Sequence, residues 1–148
     1  MHSMNGNRVK NRTKSHIRIS QINKGLSNYK TNKNLMINLV DSDRPDLLVV
    51  SEANLELNNN TIKNDFPDYT VESKFLGNSE LARIMVLIRS DLTYSRLFHL
   101  ETDDNSMIVL TIKISKSNYL HVVCVYRQWK HYTQQIITLI KFISNYGG

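Results

Sequence analysis

A single cysteine, Cys124, stands in the 148-residue sequence, which excludes an internal disulfide framework and a cysteine-rich zinc site. A reducing compartment, nucleus or cytoplasm, is the matching expectation. No apolar run approaches the ~20 residues that a membrane helix needs. The longest are Leu47 to Val50 and Ile84 to Ile88. The first thirty residues are polar and basic with no apolar h-region, so the sequence predicts a protein that is neither secreted nor membrane-bound. A glycine-rich phosphate loop is missing too, because Asn23-Lys24-Gly25-Leu26 matches neither dinucleotide-binding nor Walker patterns. The five histidines are scattered, with no pair at metal-ligand spacing. Ser51 lacks the flanking glycines of a nucleophile elbow. These absences set aside the common hydrolase, dehydrogenase and kinase chemistries.

What is present is an ordinary globular composition, 41% hydrophobic and 22% charged, in a length that suits one domain or part of one. The net charge of +6 is unevenly placed. Residues 1–40 hold eight Lys/Arg and no acid; all thirteen acids lie between Asp41 and Asp104, where the net charge is −7; residues 105–148 add five Lys/Arg and no acid. Basic flanks around an acidic middle point to a polyanionic partner, DNA or RNA being the usual one. A solvated tail and a merely soluble surface would look the same. Residues 1–15 read as a disordered basic arm for want of apolar content.

Beyond the arm, Ile17, Ile19 and Ile22 mark a strand ending near Asn23. Leu35, Met36, Leu39 and Val40 recur at helical spacing, predicting a helix from Thr31 to Ser42 that Asp43-Arg44-Pro45-Asp46 stops. The continuous run Leu47 to Val50 suits a strand buried on both faces. Strand, helix, buried strand predicts a right-handed βαβ unit with parallel strands. A short helix reaching Phe66 follows. Then come strands at Tyr69 to Phe75, Ala82 to Arg89, Tyr94 to Leu100, Met107 to Ile114 and Tyr119 to Tyr126, with short antiparallel connections. Tyr132, Ile136, Ile140 and Ile143 share one helical face, predicting a second main helix from His131 to Tyr146.

The candidate chemistry gathers at strand ends. A βαβ unit opens both C-terminal strand ends on one sheet edge, so an amide, Asn23, and a carboxylate, Glu52, are expected side by side. Glu52 suits Mg²⁺, which prefers oxygen ligands and often takes one or two carboxylates while keeping its waters. A solvated strand-terminal acid is the simpler alternative. Tyr126 and Arg127 emerge together from the last strand, a phenol and a guanidinium able to orient a phosphate. A half-buried amphipathic strand end is the plain alternative there.

These segments resemble the endonuclease/exonuclease/phosphatase superfamily. Asn23 in Gln-Ile-Asn-Lys-Gly-Leu is similar to its first motif, and Pro45-Asp46-Leu47-Leu48-Val49-Val50-Ser51-Glu52-Ala53-Asn54 to the strand that ends in its metal-binding glutamate. Ala82 to Ile88 resembles the following core strand, and Val125-Tyr126-Arg127-Gln128-Trp129 the strand carrying the active-site tyrosine. The Ser-Glu-Ala-Asn and Tyr-Arg-x-Trp variants resemble retrotransposon endonuclease domains, relatives of apurinic/apyrimidinic endonucleases. The resemblance runs from about Ile17 to the C-terminus. It implies an α+β fold, a partial four-layer α/β/β/α sandwich with one mixed sheet and two main helices. It also implies Asn23, Glu52 and Tyr126 as catalytic residues, Glu52 as ligand of Mg²⁺ (or Mn²⁺), and Arg127 and Lys130 as nucleic-acid contacts.

The family's Gly-Asp-x-Asn motif and Asp-His pair do not occur in this sequence. Residues 16–148 therefore read as the N-terminal half of such a domain, about half the family's size. That half is expected to lack turnover by itself and to leave the inner face of its sheet (Ile84, Val86, Ile88, Val109, Ile112, Val123, Val125) partly naked. Self-association or a missing second half-domain would then cover it. A non-catalytic nucleic-acid-binding module using Arg8, Lys10, Arg12, Lys14 and Arg18 with Arg127 or Lys130, and a small α/β interaction protein, are the alternatives.

Overall fold

A computed structural model describes residues 16–23, 29–56, 60–75, 81–101, 106–128 and 134–144. The basic arm, including Arg8, Lys10, Arg12 and Lys14, lies outside them. Among the described residues, eight strands form two four-stranded sheets. The first sheet has the order β1 (Ile19–Asn23), β2 (Leu47–Glu56), β4 (Leu81–Arg89), β3 (Tyr69–Phe75). β1 and β2 are parallel, and the other pairings are antiparallel. The second sheet is antiparallel throughout, in the order β5 (Thr93–Arg96), β6 (Ser106–Lys113), β7 (Asn118–Gln128), β8 (Gln134–Ser144).

Two helices, α1 (Tyr29–Asp43) and α2 (Asn60–Asp65), cover the outer face of the first sheet. α1 is the crossover between the parallel strands. It seats Met36 and Val40, one turn apart, on Leu48, Val50, Met85 and Leu87, with Ile37 and Leu39 flanking. Leu35 was expected on that stripe and instead faces solvent, 67% exposed. The helix ends as its sequence dictates. Arg44 donates its N–H to the Val40 carbonyl at 2.9 Å, takes a left-handed φ of 45°, and is followed by Pro45.

The other face of the first sheet meets the second sheet. Leu47, Val49, Ile84, Val86 and Ile88 pack against Ile108, Leu110, Ile112, Leu120, Val122 and Cys124, all buried. The alternation along β6 and β7 sends every second residue into this core. Burial pushes the Cys124 thiol up to about 12, so it is a core filler and not a nucleophile.

The expected α+β endonuclease-like sandwich is therefore present, with three corrections of detail. Residues 134–144 form strand β8, not the second main helix. Their run of Ile, Thr and Leu satisfies both periods, and the open edge of β7 supplies a hydrogen-bonding partner along its length, from Asn118↔Ser144 to Gln128↔Gln134. Residues 131–133 and 145–146 of that expected helix lie outside the described residues. Second, strand β5 stops at Arg96, and Phe98–Leu100 turn into a 3-10 helix. Third, the chain supplies two sheets where one was expected, and they cover one another. Ile84, Val86, Ile88 and Ile112 are fully buried between them. Val109, on the opposite face of β6 from Ile108 and Leu110, is buried beside the 97–101 segment. Val123 and Val125 lie half-buried on that outer face. Among the described residues no naked inner face is left between the sheets.

Candidate active site at the strand ends

Strand directions decide which residues can meet. β1 is parallel to β2, and β3 runs with β2 because both oppose β4, so β1, β2 and β3 finish at one end of the first sheet. By the same reasoning β5 and β7 finish at one end of the second. An ionic clamp shows that these ends coincide. Arg96, the last residue of β5, donates Nη1 to the Ser73 carbonyl near the end of β3 at 3.0 Å. Its Nε and Nη2 form a fork on Glu101, both at 2.9 Å. Lys74 of β3 joins Glu101 at 3.6 Å, and the Val109 N–H donates to the same carboxylate at 3.1 Å.

Burial of Glu101 works against its charge, but the Arg96 fork and the Val109 N–H outweigh it and hold the carboxyl below its usual range. Glu72 faces Arg96 from β3 at 3.6 Å and accepts the Tyr94 hydroxyl at 3.4 Å. Burial, then Glu72, pushes the Tyr94 phenol up to about 12. The Arg96 guanidinium also lies 4.4 Å from the centre of the exposed Phe98 ring, a cation–π contact. This cluster was not anticipated, since its members are linked only across the 3-10 turn and between sheets.

At the shared end, Asn23 closes β1 in register with Ser51 of β2, and the backbone of Glu52 follows one residue on. Here the regular pairing of β2 breaks. Ser51 pairs with Ile84 and Leu55 with Ala82, so residues 52–54 stand opposite Arg83 alone. Arg83 is also skipped by β3, where Lys74 pairs with Ile84 and Phe75 with Ala82. The break reverses faces. Val49 belongs to the inter-sheet core and Ala53, four residues on, to the helix-side core; Ile84 and Ala82, two residues apart, are divided in the same way. Such bulges re-aim side chains and are common beside functional sites.

Ser51 sits at this break, fully buried, and its hydroxyl finds no hydrogen-bond partner among the described residues. Leaving a buried hydroxyl unpaired costs about 1–3 kcal/mol. The position was legible as part of Ser-Glu-Ala-Asn, but nothing local signals its burial. Tyr126 lies two residues from the end of β7, in register with Ser106, and closes the inter-sheet core at that end with its ring buried. Arg127 follows in β7, paired in register with Gln135. The side chains of Glu52 and Arg127, and the whole of Lys130, lie outside the described residues. Arg18 of the proposed basic surface is exposed just ahead of β1. Among the described residues no group of three or more His, Cys, Asp or Glu is placed to cage a metal ion. No helix among them is long and apolar enough to cross a membrane.

A mixed sheet covered by helices on one side and by an antiparallel sheet on the other defines the class: an α+β sandwich of endonuclease type. Among solved structures it is similar to the endonuclease domain of TRAS1, a telomere-specific non-LTR retrotransposon, with a TM-score of 0.58 and 14% sequence identity over 76% of this chain. The chain spans 46% of that structure's length. At this identity the likeness speaks to the fold. No protein-family model and no curated protein matches the sequence.

Proposed function

We propose that the chain is the N-terminal half of a Mg²⁺-dependent phosphodiesterase domain of the retroelement endonuclease type, able to bind nucleic acid and a divalent ion but not to turn over alone. The observation that carries the reading is the register at the strand ends. Asn23 stands opposite Ser51, Glu52 follows at a bulge, and Tyr126 ends the facing sheet on the same side. The fold likeness and the basic flanks agree with it.

The donor set suits a hard cation. A carboxylate at the position after an orphaned buried hydroxyl would give oxygen ligation, as Mg²⁺ or Mn²⁺ prefers, and offers nothing soft for zinc. Glu52 would hold the ion, which when bound supplies Lewis-acid stabilisation of charge on the scissile phosphate. Asn23 would hold a phosphate oxygen through its amide N–H, and the Tyr126 phenol would donate to another. Arg127 and Lys130 would hold flanking phosphates of DNA or RNA. The sequence contains no Asp-His pair to activate water, and losing a general base costs about 10²–10⁴-fold in rate.

The test is nicking of supercoiled plasmid with Mg²⁺, together with binding to a labelled DNA duplex at rising salt. The chain is expected to bind with a steep salt dependence and to leave the plasmid uncut. Cleavage that vanishes in Glu52→Gln would overturn the claim of inactivity, and salt-independent or absent binding would remove the nucleic-acid partner.

A further inference from the structure

The buried Ser51 hydroxyl has a place in this site that stability does not explain. β2 is fully buried from Leu47 to Ser51, and its side chains from Leu47 to Val50 are all apolar. At the next position a serine is fully enclosed, on the face that Leu47 and Val49 share toward the second sheet. Alanine would fit the same space without the desolvation penalty. A hydroxyl held unpaired in such a position is stabilised when something outside the described residues completes it. Three features narrow what that is. The position is sealed, so the partner is small. It is in register with Asn23 at the end of β1 and comes one residue before Glu52 in the chain, so an amide stands opposite it across the pair. It sits at the face reversal of β2 and β4, where strands no longer close tightly on each other.

We propose that Ser51 is a positioning residue of the cation site: its hydroxyl holds a buried water that is itself a ligand of the divalent ion bound by Glu52. This rests on the metal reading of Glu52 and adds to it a second protein group acting through water. Hydrogen bonds of this kind orient a metal's ligands, and losing one weakens metal affinity about 10–100-fold. Buried water with several polar partners is an ordinary component of such sites.

The probe is Mn²⁺ alone, titrated into the full chain and followed by water-proton relaxation, which reads both affinity and bound water. Native protein, Ser51→Ala, Ser51→Cys and Glu52→Gln are compared, with thermal unfolding of each in the absence of metal. Expected are saturable binding by the native chain, its loss in Glu52→Gln, and about 10–100-fold weaker binding in Ser51→Ala. Ser51→Cys, which keeps the volume but hydrogen-bonds weakly, should show the same loss should the alanine variant fail to fold. Metal-free stability of the alanine variant should be unchanged or higher. Native affinity in both Ser51 variants alongside lost binding in Glu52→Gln would overturn the Ser51 proposal and leave the metal reading standing. Binding that survives Glu52→Gln, or no binding by the native chain, would overturn both.

Discussion

Where β2 begins, the buried polar groups among the described residues are answered. The buried Asp46 accepts the Arg18 N–H at 2.8 Å and meets Arg89 at 3.4 Å, while Arg89 forks onto Asp91 at 3.1 and 2.7 Å. Tyr69 donates its hydroxyl to the Pro45 carbonyl at 2.7 Å. The strands run in unbroken register from there. Five residues along β2 the same sheet breaks register on both sides of β4, reverses its faces and encloses an unpaired hydroxyl. At that end an ionic cluster lies on the outer strand, where Arg96 and Glu101 bind β3 to the second sheet. One end ties the first sheet to itself through paired polar groups. The other carries the register breaks and the unpaired hydroxyl, alongside the clamp to the second sheet.

The sharpest way to break this contrast is to truncate at each end. Asp46→Ala leaves the Arg18 N–H unanswered and takes from Arg89 one of its two carboxylates, and losing both interactions should cost about 3 kcal/mol in urea unfolding. Ser51→Ala should cost nothing, or stabilise by about 1 kcal/mol. Equal losses at both ends would erase the distinction.

The clamp predicts a smaller, pH-dependent effect. Because the folded Glu101 carboxyl titrates below its usual value, its contribution is present above the ordinary carboxylate pKa and is lost as pH falls through the folded one. Glu101→Gln should cost about 2 kcal/mol near neutral pH and flatten the acid limb of the stability curve. An unchanged acid limb would remove Glu101 as its cause.

Cys124 reports on the core between the ends. Its buried thiol should resist a disulfide-exchange reagent at pH 8 and react only as the chain unfolds. Prompt labelling of native protein would mean that the two sheets do not close as described. The smallest effect is at the end of α1, where Arg44→Gly relieves a left-handed backbone and should stabilise by about 0.5–1 kcal/mol, read as a shift in the unfolding midpoint.

Much of this architecture is legible in sequence, for identifiable reasons. Leu47 to Val50 is apolar on both faces because β2 lies between α1 and the second sheet, and strand–helix–strand spacing implied the parallel pair that sets Asn23 opposite Ser51. Residues 134–144 misled because Ile136, Ile140 and Ile143 satisfy a helical period while Ile, Thr and Leu equally suit a strand. Only the open edge of β7, a non-local fact, decides between them. The same holds for the site's finer structure. The skipped Arg83, the reversal at Ser51 and the Arg96 clamp exist only between strands, and no window of neighbouring residues encodes them. Asp46 stood within a quoted motif with no role given it, because its partners are 28 residues upstream and on β4.

Paramagnetic broadening by sub-stoichiometric Mn²⁺ in the amide spectrum of the full chain tests the central claim most directly. Asp46 and Ser51 are five residues apart on one extended strand, about 17 Å, far enough for broadening to separate the two ends. The account predicts that the resonances of Asn23, Ser51, Glu52 and Tyr126 disappear first, while those of Asp46, Arg89 and Asp91 stay sharp. Broadening centred on the Asp46 and Asp91 carboxylates, or spread evenly over both ends, would contradict it.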